Sequence, residues 1–171
     1  MTDRVRRLLL LSGSLDPADA TTVALAATTT MAGPFGEIRW SSLGALPVFD
    51  ADRSPDRAVY ELWSELDWAD AVLVGAPLQH GLLAPRAANL VCWSAAAAGG
   101  TPRPTGLVAD ATLLYDDAFR ASLLRAGFAV AEPSLTAPDP AAVADGLLVD
   151  AVARRSLGRL LEALAARSPR P

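Results

Sequence analysis

The sequence predicts a doubly wound α/β domain, a five-stranded parallel sheet flanked by helices. Three observations predict it. Short apolar runs alternate with longer helical stretches along the chain, which is the signature of a parallel sheet. The runs at 8–11 and 71–76 carry no polar alternation, as expected of strands covered on both faces. Turn residues such as Gly33-Pro34, Pro77 and Gly81 punctuate the runs, and no repeat or composition break divides the 171 residues. One domain over 1–171 is therefore expected.

Residues 8–11 form the first strand. Asp16-Pro17 opens the first helix, with Asp16 as N-cap and proline at the first helical position. The alanine-rich stretch 18–32 continues that helix as far as Gly33-Pro34. Residues 38–41 form the second strand, followed by a loop through Leu46-Pro47. Ser54-Pro55 starts a helix that reaches Trp68. Residues 71–76 form the third strand, which stops at Pro77, and a helix covers 85–97. The fourth strand is 106–109, a helix spans 117–126 behind Asp116-Asp117, and the fifth strand is 128–130. A single amphipathic helix from Asp139-Pro140 to Ala166 closes the domain, with Arg154, Arg155 and Arg159 toward solvent.

At 51% hydrophobic and 20% charged residues, the composition is globular. All 15 basic residues are arginines, which excludes Schiff-base chemistry on a lysine. One cysteine, Cys92, and one histidine, His80, exclude an intrachain disulfide and leave too few soft ligands for the usual zinc site. No metal is expected. The run 8–11 is too short for a leader or a membrane span, so a cytoplasmic protein is expected. A net charge of −4 with scattered arginines argues against nucleic acid as a partner. Cys92, among Leu90, Val91 and Trp93, reads as core or interface, and the four tryptophans as packing between helices and sheet.

Ligands of open parallel sheets bind beyond the carboxyl ends of the strands, where strand order reverses. Two loops fall there. The first carries the hydroxyls of Ser12, Ser14, Thr21 and Thr22 at a helix start, where unsatisfied N–H groups and the helix dipole favour an anion. The same residues equally suit helix capping. The second is Pro77-Leu78-Gln79-His80-Gly81, with Gly81 supplying a positive φ. His80 at its mouth suits a proton donor near neutral pH, or a solvated turn residue.

On these residues the sequence resembles the NADPH-dependent FMN reductases, whose fold is flavodoxin-like. Leu10-Leu11-Ser12-Gly13-Ser14-Leu15 matches the family's opening, and Thr21-Thr22 falls on its Asn-Thr pair. Leu46-Pro47-Val48-Phe49 matches the stretch after strand two. Pro77 and Gly81 match the ends of the flavin loop, and Asn89 and Trp93 fit the helix that follows. The resemblance spans roughly residues 7 to 95. It implies FMN held by its phosphate near Ser12, Ser14, Thr21 and Thr22, with the ring against Pro77, Leu78, Gln79, His80 and Gly81. It further implies NADPH as reductant, a flavin or small quinone-like acceptor, and a homodimer with the helix after the flavin loop near its interface. A partner monooxygenase receiving reduced flavin belongs to the same expectation.

The chain departs from the family pattern at several positions. Asp16 replaces an arginine, Asp19 a phosphate-loop serine, Ala88 a lysine and Cys92 an aspartate. Ala109-Asp110-Ala111-Thr112 stands where the family has a glycine-rich loop. A carboxylate about 4 Å from a second anion is disfavoured by about 4 kcal/mol at an effective dielectric of about 20. The helix end returns only about 0.3–1 kcal/mol. Asp19 therefore either caps the helix or excludes the phosphate. Two alternatives follow: an accessory or binding protein that has lost FMN, or an enzyme with a pocket reshaped for a bulky apolar substrate around Leu78, Leu82 and Leu83.

Overall fold

The computed structural model describes residues 5–31, 33–41, 43–97, 102–145 and 147–168. Ala32, the end of the stretch 18–32 named above, lies outside them. The central sheet contains β1 (Arg7–Ser12), β2 (Glu37–Ser41), β3 (Ala71–Ala76) and β6 (Arg103–Ala109), in the order β2-β1-β3-β6. All of its pairings are parallel. The fifth position is filled by two short strands in succession along the outer edge of β6. Strand β7 (Phe128–Val130) pairs with Arg103, Pro104 and Thr105, and β8 (Leu135–Thr136) with Val108 and Ala109. Pro133 lies between them and has no N–H to give to a ladder.

Alternate residues of the strands feed two cores. Leu9, Leu11, Val72, Val74 and Leu107 face α2 (Arg57–Trp68), α3 (Pro85–Ala96) and α5 (Asp117–Arg125). Leu8, Leu10, Leu73 and Val108 face α1 (Ala20–Ala27) and α6 (Ala151–Arg167). All four leucines of β1 are 0% exposed. Helix α6 lies close against β6. A Cβ built on Gly106 would come within 2.7 Å of Leu73 Cδ1 and 2.9 Å of Leu164 Cδ1, so a side chain there would have to push both leucine ends aside.

Helix α3 is tied to the exit of β2 by its side chains. The Asn89 amide donates to the Pro47 carbonyl at 2.6 Å and accepts from Phe49 N–H at 2.6 Å. Trp93 Nε1 donates to the same carbonyl at 2.8 Å, and its ring meets Phe49 edge-on at 5.0 Å. Asn89 and Trp93 thus have a packing role here. Trp93 is buried as expected, whereas Trp40 is 41% exposed. Trp68 carries the Arg39 guanidinium over its ring at 4.0 Å. Cys92 is exposed on α3, so it is not a core residue; it alternates with Trp93, which takes the inward position.

Three helix assignments need correction. Asp19, not Asp16, caps the first helix, which starts at Ala20. The second starts at Arg57 behind the cap Asp56, which accepts from Ala58 and Val59 N–H. The predicted helix from Asp139 to Ala166 is in fact a 3-10 turn (Pro140–Ala142), an antiparallel hairpin of β9 (Val143–Ala144) and β10 (Leu147–Leu148), and then α6 behind the cap Asp150. Asp145 adopts φ 50° at the hairpin turn, and Leu148 is 2% exposed against the second core. Burial of that leucine outweighs helical continuity. Arg154, Arg155 and Arg159 face solvent as expected. Among the described residues, no helix is long and apolar enough to cross a membrane.

Both cores predict measurable losses. Leu9→Ala is expected to lower unfolding free energy by about 2–5 kcal/mol. Gly106→Val should lower it by about 1–3 kcal/mol through overpacking. Denaturant titration checks both, and a Gly106→Val protein as stable as the parent would contradict the close approach of α6.

Candidate functional site

The site is set by how β1 leaves the sheet. Gly13 N–H donates to the Gly75 carbonyl of β3 at 2.8 Å. A Cβ on Gly13 would lie 2.8 Å from that oxygen and 2.8 Å from Ala87 Cβ. Only glycine lets the first loop press against β3 and α3, which puts both ligand-competent loops at one edge.

The hydroxyls of the first loop bond to each other and to the backbone. Ser12 Oγ accepts from Ser14 N–H at 3.2 Å, donates to the Ser14 carbonyl at 3.0 Å and lies 2.8 Å from Thr22 Oγ1. Ser14 Oγ accepts from Asp16 N–H at 3.1 Å. Asp16 accepts from Ala18 N–H at 2.9 Å, within a turn that precedes the helix. The half-buried Asp19 then caps α1. Its Oδ1 accepts from Thr21 N–H at 2.9 Å, Thr22 N–H at 3.3 Å and Thr21 Oγ1–H at 2.5 Å. Ser12, Ser14, Thr21 and Thr22 therefore lie in one hydrogen-bonded loop, in which Asp19 takes up Thr21 and Thr22 while Ser12 and Ser14 bond Thr22 Oγ1 and the loop backbone.

The second loop is a tight hairpin. Strands β4 (Leu78–Gln79) and β5 (Leu82–Leu83) pair antiparallel, and His80 and Gly81 turn between them at φ 54° and 79°. Positive φ at both central residues defines the turn that matches strand twist, and histidine tolerates it better than most residues. Ala84 N–H closes the base on the Pro77 carbonyl at 3.0 Å. Pro77 is buried beneath the first loop, and Leu78 and Leu83 pack on the core. Only Leu82, 72% exposed, is free, so the three leucines do not line one apolar pocket. His80 and Gly81 stand exposed at the tip.

Between the two loops runs a cleft of about 250 Å³, walled by Gly13, Ser14, Leu15 and Asp16 on one side and Gln79, Pro85 and Arg86 on the other. Leu15 is 66% exposed and gives the cleft an apolar lip. The Ala84 cap of α3 makes no side-chain hydrogen bond to the first turn, so the N–H groups of that turn lack a side-chain acceptor. Arg86 follows in that turn and donates through Nη1 to the Leu43 carbonyl at 3.0 Å. Of the residues singled out in the sequence, Ser14 and Gln79 line the cleft. Ser12, Thr21 and Thr22 lie behind it, Pro77 beneath it, and His80 and Gly81 beyond Gln79.

Sequence reasoning missed Arg86. Its signal was an arginine in a first helical turn, where the dipole favours carboxylates. Beyond β6, Asp110 caps the short α4 (Ala111–Leu114) by accepting from Thr112 N–H at 2.8 Å. Hydrogen bonds from the Thr112 backbone and side chain hold the Asp110 carboxyl below its ordinary value. A capped helical turn thus occupies the place of a glycine-rich loop.

These residues fit FMN in one half only. At about 250 Å³ the cleft is below the roughly 300–1,000 Å³ of enclosing ligand pockets, so a flat ring placed there would lie partly exposed. The first turn of α1, which would receive the phosphate, has given Thr21 and Thr22 N–H to Asp19.

No protein-family model and no curated protein sequence matches the chain. Solved structures do. FerB, a flavoenzyme NAD(P)H:(acceptor) oxidoreductase from Paracoccus denitrificans, superposes with a TM-score of 0.76 at 19% identity, covering 95% of this chain and 96% of FerB. An oxidoreductase from Corynebacterium diphtheriae gives 0.64 at 20% identity, over 95% of this chain and 96% of that one. Oxidised Flavodoxin 1 from Bacillus cereus gives 0.54 at 13% identity, over 95% and 99%. With this strand order and these likenesses, the fold of the chain is flavodoxin-like.

Proposed function

We propose that the chain is a flavin-dependent NAD(P)H oxidoreductase that reduces a flavin or a small quinone-like acceptor. The observation that carries this reading is the position of the cleft. It opens at the carboxyl ends of β1 and β3, between loops 13–16 and 79–86, where sheets wound in this order bind their ligands. The likeness in fold to a flavoenzyme NAD(P)H:(acceptor) oxidoreductase supports it.

Each wall has a task in this reading. Leu15 and the floor at Gly13 cover one face of a ring system, and Gln79 offers an amide to its polar edge. The first-turn N–H groups of α3 and the Arg86 guanidinium, opposite the Asp16 carboxylate, favour negative charge on the ring edge nearest α3 once the ring is reduced. A bound flavin supplies the hydride chemistry. His80, one residue past Gln79 and open to solvent, is the proton donor. NADPH is the reductant, and a homodimer with α3 at its interface and a partner monooxygenase belong to the same proposal.

A second reading, a flavodoxin-like accessory protein without flavin, is favoured by Asp19. The cap satisfies the donors that a phosphate would need.

Flavin titration followed by fluorescence quenching separates the two readings. The expected result is saturable binding at micromolar flavin, with NADPH consumption that rises when a quinone is added. A protein that binds neither FMN nor riboflavin is the accessory protein. For the proton donor, His80→Asn keeps a residue that tolerates the left-handed turn. It should lower turnover by about 100-fold with flavin affinity unchanged. An unaltered rate would reduce His80 to a turn residue.

A further inference from the structure

We infer that the Asp19 carboxylate is an internal substitute for a ligand phosphate, closing the site to phosphorylated rings. The chain therefore takes unphosphorylated flavins and quinones in preference to FMN. This preference rests on the flavin reading above; the closure itself rests on the geometry of α1.

A phosphate monoester binds a helix start through first-turn N–H groups and neighbouring hydroxyls. In α1 those groups are Thr21 N–H, Thr22 N–H and Thr21 Oγ1–H, and one oxygen, Asp19 Oδ1, accepts from all three. The Ser12 and Thr22 hydroxyls are engaged as well, which leaves the Ser14 O–H alone to donate. Ser12 bonds Thr22 and the Ser14 backbone, and Ser14 Oγ accepts from Asp16 N–H. The segment 12–22 contains no basic residue and two aspartates, so it supplies nothing to neutralise a doubly charged ester. A phosphate could enter only by displacing Asp19, breaking its three bonds and leaving two anions side by side. An uncharged ring system meets no such obstacle. The cleft between Ser14 and Arg86 lies in front of the Asp19 network, and Asp19 is not among its walls.

The test compares riboflavin with FMN on the wild-type chain and on Asp19→Ser and Asp19→Asn. Both substitutions keep a good capping side chain, and thermal melts report whether each folds. If one variant fails to fold, the other gives the comparison. Wild type is expected to bind riboflavin at least tenfold more tightly than FMN. Asp19→Ser should raise FMN affinity at least tenfold while leaving riboflavin affinity within threefold. Equal wild-type affinities for the two flavins, or FMN affinity unmoved by both substitutions, would overturn the inference. Should the variants bind FMN while wild type binds no flavin, the closure by Asp19 stands and the oxidoreductase reading falls. Folded variants that bind no flavin, like the wild type, would remove both.

Discussion

Strand β1 has water on neither face and a neighbour on each edge. Leu8, Leu9, Leu10 and Leu11 are each 0% exposed, two into each core. Strand β2 lies on one side and β3 on the other. A strand so enclosed has one free direction at its carboxyl end, and Gly13 takes the chain out there by touching Gly75 without a side chain between. The segments leaving β1 and β3 cross to opposite faces of the sheet, α1 to one core and α3 to the other, so the first loop and the hairpin after β3 open a crevice between them. Everything proposed for the cleft depends on that exit.

The two helix starts beside the crevice solve the same problem in opposite ways. Each leaves backbone donors without intrahelical partners. Helix α1 satisfies its donors with Asp19, while α3 begins at Pro85 behind an alanine that provides no acceptor. Proline removes one donor outright, and the rest of the turn faces the region that Arg86 makes positive. The positive potential available to a ligand has therefore moved from α1 to α3. In chemical terms the site favours charge that develops on a bound ring over charge that a ligand brings with it.

Much of this was legible in the sequence, for reasons that can be named. The unbroken apolar runs at β1 and β3 report burial on two faces, and Pro85 marks a helix start by its fixed φ. The choice between Asp16 and Asp19 as cap was not legible, since both residues suit it. It was decided by which start buries Val23, Ala24 and Leu25 against the sheet, a tertiary matter. The hairpin before α6, with Asp145 at φ 50°, is set inside an alanine-rich stretch that reads as helix. Arg86 stood out only as a charge at the wrong end of a helix.

Helix capping and phosphate binding compete for the same donors, which is why one side chain can decide between them. A serine at position 19 would cap α1 with a hydroxyl that also donates, and an incoming anion could share the turn with it. The carboxylate accepts only. It saturates Thr21 and Thr22 N–H and adds a like charge against any phosphate. The stability of the helix start and its closure to phosphate therefore come from the same three hydrogen bonds. Loss of a phosphate handle does not abolish the crevice, because Asp19 is not among its walls, which run from Gly13 to Asp16 on one side and include Gln79, Pro85 and Arg86 on the other. The fold can keep a place for a ring while refusing the ester that usually anchors it.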